Sequence, residues 1–248
     1  MPASPAPSRR SEAVPAQSLA DLNQRIILCE RCPRLRHWCA QVARVRRRAY
    51  RDQEYWGRPV PSFGDPEARV LLLGLAPGAH GSNRTGRPFT GDGSGNFLFP
   101  MLFEAGFASQ PEARSLDDGL ILRDLWITSV ARCAPPDNKP TPAELANCSS
   151  WLDAELALLG RLRVVLCLGH IAWNGYLQSL RRRGHPMRAS SFPFRHGAEY
   201  NMPDGVTLMG SYHPSLQNTN TGRLTREMLL DIFALARVAA ARKPKSSS

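Results

Sequence analysis

The sequence predicts an α/β fold, a three-layer sandwich with a central four-stranded parallel sheet, and three observations predict it. Four short apolar runs recur along the chain, at 70–75, 125–130, 164–168 and 206–209. Each run is continuous rather than alternating, the pattern of a strand covered on both faces. Helical patterns lie between the runs, and strands alternating with helices wind into a parallel sheet clothed on both sides.

The 248 residues suit one large domain, placed at 18–238. Residues 1–17 are rich in Pro, Ala and Ser and lack an apolar centre, so they read as a disordered tail and not as a secretory signal. The run VLLLGL at 70–75 is followed by a helical pattern at 95–105. The run at 125–130 leads through a Pro-rich loop, 135–140, to a helix at 141–159, whose Thr141-Pro142-Ala143-Glu144 is a capping box with Pro at the first helical position. The run at 164–168 is followed by a helix at 171–183, and the run at 206–209 by a last helix at 224–241 carrying Leu229, Leu230, Ile232 and Phe233. Residues 239–248 read as a short basic tail. The sequence holds no internal repeat, and no apolar run approaches the ~20 residues of a membrane span. The expected setting is the cytoplasm, alongside the nucleoid.

Unusual residues follow each strand at once. They are Ala76-Pro77-Gly78-Ala79-His80, then Ala131-Arg132-Cys133, then Gly169-His170, then Gly210 through Ser215. In open parallel sheets, ligands bind beyond the carboxyl ends of the strands, so these residues sit where a site belongs.

The net charge is +11, and it is clustered. Residues 31–51 hold eight arginines and no acid: Arg31, Arg34, Arg36, Arg44, Arg46, Arg47, Arg48 and Arg51. Arg181, Arg182, Arg183 and Arg188 form a second cluster. Such patches suit a polyphosphate partner through counterion release, or else form a solvated Arg-rich surface. Of six cysteines, Cys29 and Cys32 form a C-x-x-C, Cys133 follows a strand and Cys148 lies in the helix after it. Four thiolates can hold zinc or a [4Fe–4S] cluster, and spacing alone does not choose. The alternative is that the second pair is ordinary core cysteine. Cys167 sits inside an apolar strand and reads as core; Cys39, on a helix, is left without a metal.

The stretch from Gly74 to Asp92, GLAPGAHGSNRTGRPFTGD, resembles the first motif of the type b (family 5) uracil-DNA glycosylases. His213-Pro214-Ser215, followed by Leu216 through Arg223, resembles their second. The C-x-x-C, then Cys133 with the Pro-rich loop, then Cys148, is similar to the ligand pattern of the iron–sulfur branch of that superfamily. The resemblance covers about residues 29–226. It implies a [4Fe–4S] cluster on Cys29, Cys32, Cys133 and Cys148, and a monomer acting on DNA that contains deaminated bases or abasic sites.

Cleaving an N-glycosidic bond leaves positive charge on the sugar and negative charge on the base, and the base must first leave the stack. The resemblance implies that Phe89 stacks the base and that His213 donates to its oxygen as the anion departs. Asn138 helps hold the base, and Gly74, Ala76, His80 and Ser129 complete the pocket. Leu75 and Ser129 depart from related cluster-bearing families, which carry a water-positioning Glu and a base-reading Asn there. Asp92 is then the acid left to orient the water, unless it only caps the helix that follows. The smaller Ser129 fits a broader range that includes hypoxanthine. Leu216, Gln217 and Asn218 open a polar loop suited to a wedge into the duplex; with Arg223, Arg46, Arg47 and Arg48 they are the expected DNA contacts. The competing readings are a damage-binding protein with little turnover and a zinc-stabilised nucleic-acid module. No lysine in these motifs is placed for Schiff-base chemistry, so strand cleavage is not expected.

Overall fold

The computed structural model describes residues 16–242. It has six strands: β1 (Phe63–Gly64), β2 (Val70–Gly74), β3 (Leu125–Ser129), β4 (Val164–Leu168), β5 (Glu199–Asn201) and β6 (Thr207–Ser211). It has eight α-helices: α1 (Leu19–Ile27), α2 (Pro33–Val45), α3 (Ser82–Thr85), α4 (Gly93–Glu104), α5 (Pro142–Leu158), α6 (His170–Arg182), α7 (Leu216–Asn220) and α8 (Arg226–Ala241). Short 3-10 turns lie at Arg48–Tyr50, Pro136–Asn138 and Ala189–Ser191.

The sheet is mixed and six-stranded, in the order β1-β3-β2-β4-β6-β5. The pairings of β3 with β2, β2 with β4 and β4 with β6 are parallel. β1 and β5 close the two edges in antiparallel fashion. The expected sheet of four strands is therefore too small. Two- and three-residue strands with half-exposed side chains leave no apolar run to read.

The alternation of side chains along each strand builds two cores. Val70, Leu72, Ile127, Val164, Leu166 and Met209 face one layer, which holds Leu98, Phe99 and Leu102 of α4 and Leu229, Ile232 and Phe233 of α8. Leu71, Leu73, Trp126, Val165, Cys167 and Leu208 face the other, with Leu152 and Leu156 of α5 and Trp173 and Tyr176 of α6. The capping box is formed: Glu144 N–H donates to Thr141 Oγ1 (3.3 Å), and Thr141 N–H to the Glu144 carboxylate (2.8 Å).

Two boundaries move. α8 runs on through Ala239 and Ala240, both buried, so the domain does not stop at 238. An alanine run is a strong helix former and continues the last turn. At the other end Gln17 N–H donates to the Asp21 carboxylate and so belongs to the cap of α1. The remainder of the two expected tails, 1–15 and 243–248, lies outside the described residues. No described helix is long and apolar enough to cross a membrane.

Candidate active site

β2 is the point where the winding reverses, because β3 lies on one side of it and β4 on the other. A crevice opens at the carboxyl ends of strands at such a point. Here it is a cleft of about 570 Å³, within the range of small-ligand pockets, roughly 300–1,000 Å³. Its walls come from the segments after β2 (Leu75 to Ser82, and Pro88 to Ser94), after β3 (Ser129, Arg132, Asn138) and after β6 (His213, Ser215, Leu216, Gln217). Ala76, His80, Phe89 and Asp92 are among them. All of the expected catalytic and base-binding residues except Gly74 therefore share one cleft, with Leu216 and Gln217 at its rim.

Phe89 is 8% exposed and holds a left-handed backbone, φ 52°. That conformation is unusual for a bulky residue and marks a position fixed by its surroundings. Gly74 does not line the cleft. Its role is to make room for the ring, since a β-carbon there would stand 2.9 Å from Phe89 Cζ. The His213 ring lies 5.9 Å from the Phe89 ring, centroid to centroid, at 35°. Burial lowers the His213 pKa to about 4, so the imidazole is neutral near pH 7 and carries one N–H to donate. His213 is held from behind by Asn218, whose side-chain N–H donates to the His213 carbonyl at 2.8 Å.

Asp92 both caps a helix and lines the cleft. It is the N-cap of α4, with Gly95 N–H donating to Oδ1 at 3.0 Å. Its Oδ2 turns toward the Gly78–Gly81 backbone, so closely that a side chain on Gly81 would overlap it. Burial raises its pKa, against the pull of the Gly95 and Ser94 amides and of Arg84.

Several expected DNA contacts are placed differently. The stretch after His213 is not a loop but α7, capped by the Ser215 side chain. Asn218 points inward to His213, as a helix position does when its side chain satisfies a nearby carbonyl. Leu216 is 58% exposed at the cleft rim, its methyls against Gly93. Arg223 lies over the Tyr212 ring, 4.7 Å from its centroid, and Tyr212 stacks in turn on His196 (5.1 Å). Arg46 donates to the Ala43 and Arg51 carbonyls, finishing the end of α2. Arg34 pairs with Glu144 and Arg36 with Glu30. Arg31 lies over Trp151. Arg44, Arg47, Arg48 and Arg51 are exposed. In the second cluster Arg182 pairs with Asp153 and Arg183 with Asp204.

Cys29, Cys32, Cys133 and Cys148 line one small cavity. Among the described residues, however, no three His, Cys, Asp or Glu side chains stand in a group that could hold a metal. The donor set fits a four-thiolate group, and the side chains as placed are short of ligating it. Arg132 N–H donates to Cys148 Sγ (3.3 Å) and Asn147 to Cys32 Sγ (3.7 Å). Burial pushes the Cys148 thiol up to about 11, so without a cation the cavity favours protonated sulfur. Cys39 is buried beside it, its thiol donating to the Ala134 carbonyl.

Arg132 forms the partition between this cavity and the cleft. Its guanidinium is buried against Glu155, which also accepts from Trp126, Thr128 and Ser62. Nothing in the motifs singles out Glu155. An acid at the helix position next to Leu156 and three from Leu152, on the buried face of α5, was the available sign, because such a carboxylate requires a partner.

Comparison with known proteins decides the family. The model of the uracil DNA glycosylase superfamily matches residues 61–237. The chain belongs to the uracil DNA glycosylase superfamily. It is similar to the Type-5 uracil-DNA glycosylase of Thermus thermophilus, 55% identical over 214 residues, 86% of this chain and 94% of that one. It is 48% identical to the Type-5 uracil-DNA glycosylases of Mycobacterium tuberculosis (91% of this chain, 83% of that one) and Pyrobaculum aerophilum (87% and 91%). The superfamily match spans both cleft-forming segments, 74–94 and 213–217, and Arg132.

Proposed function

We propose that the chain is a monofunctional DNA glycosylase that hydrolyses the N-glycosidic bond of uracil, and of other deaminated bases such as hypoxanthine, in DNA. The observation that carries this reading is the pairing of a fixed aromatic platform, Phe89, with a neutral imidazole, His213, 5.9 Å apart in one cleft of a superfamily member.

The extruded base stacks on Phe89. The bond between the sugar C1′ and the base nitrogen breaks, and its electron pair leaves with the base. The His213 N–H stabilises the charge that collects on the base oxygen. A cationic imidazole is not required, which suits a histidine held neutral by burial. Water then adds to C1′, its oxygen forming the new bond, and its proton passes to the Asp92 carboxylate and on to solvent. Ala76, Ser129 and Asn138 shape the pocket around the base. Leu216 and Gln217, at the rim, face the gap in the duplex. The protein acts as a monomer on DNA carrying deaminated bases or abasic sites, in the nucleoid of the cytoplasm.

Cys29, Cys32, Cys133 and Cys148 would hold a [4Fe–4S] cluster, which supplies a structural cross-link between the N-terminal helices and the segments after β3. Four thiols from those two parts of the chain lining one cavity support this. Iron analysis on the purified protein is expected to give four irons for a four-thiolate cubane, and Cys148→Ala to lose most of them. Zinc in their place would overturn it.

The deciding experiment is single-turnover incubation with duplexes carrying one uracil or one hypoxanthine. Release of both bases is expected. Tight binding without release would make the chain a damage-binding protein instead.

A further inference from the structure

The loop after β2 carries His80 at the cleft wall, on the side that meets the basic segment 46–55. The contact between them is specific. Tyr55, 7% exposed, places its hydroxyl 3.1 Å from His80 Nδ1, while Arg47 N–H donates to the same hydroxyl at 3.3 Å. The two rings meet edge to face, 6.1 Å apart. Arg84 makes a second tie. It donates to the His80 carbonyl (2.8 Å), to Gln53 Oε1 (2.5 Å) and to the Gly91 carbonyl (2.6 Å), and it lies over the Tyr50 ring. The basic segment and the catalytic loop are thus one built unit, and nothing in the chemistry above uses it.

We propose that Tyr55 is a positioning residue which fixes His80 as an Nε2–H donor to the sugar–phosphate of the extruded nucleotide. The hydroxyl carries the reasoning. Arg47 N–H occupies a lone pair of the Tyr55 oxygen, and the phenol has a single proton to place. Donating it to His80 Nδ1 satisfies a buried O–H and leaves the imidazole proton on Nε2, the other edge of the ring. The charge around His80 agrees. Burial, with Arg47 and Arg84 close by, lowers its pKa and keeps the ring neutral. Those same arginines give this side of the cleft a positive potential, which favours a phosphate over the neutral face of a base.

This inference rests on the glycosylase reading, and its test is chosen to work without turnover. The probe is a duplex carrying a tetrahydrofuran abasic-site analogue, which keeps the sugar–phosphate and has no base. Affinity is measured against the same duplex undamaged, by fluorescence anisotropy. His80→Ala is expected to lose about tenfold in affinity for the tetrahydrofuran duplex, the worth of one hydrogen bond to a charged group. His80→Gln, whose amide N–H can stand near Nε2, is expected to keep most of it. Tyr55→Phe is expected to weaken binding several-fold in the wild-type background and to change nothing in the His80→Gln background. Equal losses from Tyr55→Phe in both backgrounds would mean that it acts through packing alone, and unchanged affinity in His80→Ala would mean that His80 does not touch the backbone. Either result overturns the proposal. A wild-type protein that binds tetrahydrofuran but releases no uracil would refute the glycosylase reading and leave this one standing.

Discussion

The Phe89 ring rests against the α-carbon of Gly74, with no room for a β-carbon between them. The last residue of β2 therefore sets the height of the platform on which a base would stack. Gly74→Ala must push the ring toward His213 or force β2 away from β3, and overpacking of this kind costs about 1–3 kcal/mol. Single-turnover uracil release is expected to slow by about tenfold to a hundredfold, with little change in affinity for undamaged duplex. Wild-type rates would place the stacking surface elsewhere.

The exposed part of the basic segment is expected to set the salt dependence of DNA binding. Arg47 and Arg48 are exposed, whereas Arg46 is spent on backbone carbonyls. Replacing Arg47 and Arg48 by Ala is expected to lower the slope of log affinity against log salt by about 2, near 0.9 for each phosphate that is no longer neutralised. Arg34→Ala is expected to leave the slope unchanged and to lower stability, because it strips Glu144 of its partner. The same drop in slope from Arg34→Ala would show that the whole segment faces DNA.

The four five-residue strands were legible in the sequence because every position in them is buried, which leaves continuous apolar runs. Ala76, His80 and His213 were legible because they follow those strands directly, whereas Phe89, Asp92 and Asn138 lie further along the loops and were indicated only by the resemblance of the motifs. Which arginines are free was not, because Arg34 meets Glu144 from 110 residues away and no local pattern announces it. Tyr55 was missed for the same reason: its partner His80 lies 25 residues on, beyond β1 and β2. Asn218 was misplaced because a polar residue in an apparent loop reads as a solvent contact, and only the formation of α7 turns it inward.

Acid should weaken the fold in a window set by His213. Its native pKa of about 4 lies below the ordinary 6.5. Between those values the unfolded chain takes up a proton that the native state does not, so stability falls as pH drops from 6.5 and levels off below about 4. One such group contributes at most about 3 kcal/mol, and less here because one edge of the ring faces the solvated cleft. Urea denaturation at about pH 7 and about pH 4.5 is expected to show a smaller loss in His213→Gln than in the wild type. Equal losses would assign the effect to His80 and His196, which burial also lowers.

The two roles proposed for Asp92 can be separated by substitution. Oδ1 caps α4, and Oδ2 stands at the cleft wall, where a water-orienting carboxylate is needed. Asn caps a helix as well as Asp does but cannot take a proton from water, while Ala does neither. Asp92→Ala is therefore expected to lose about 1 kcal/mol of stability as well as activity, and Asp92→Asn to lose activity with stability nearly intact. The rate loss in both is expected to be about tenfold to a hundredfold and equal for uracil and hypoxanthine, since the sugar is common to the two. His213→Ala, by contrast, is expected to cost about 10²–10³ on uracil and less on hypoxanthine, whose departing charge is arranged differently. Burial raises the Asp92 pKa above 3.8, so the wild-type rate should fall with acid at a higher pH than an ordinary aspartate would dictate, and Asp92→Asn should flatten that limb of the profile. An Asp92→Asn protein with the wild-type rate on both bases would reduce Asp92 to a cap and move the water to other groups of the 74–91 loop.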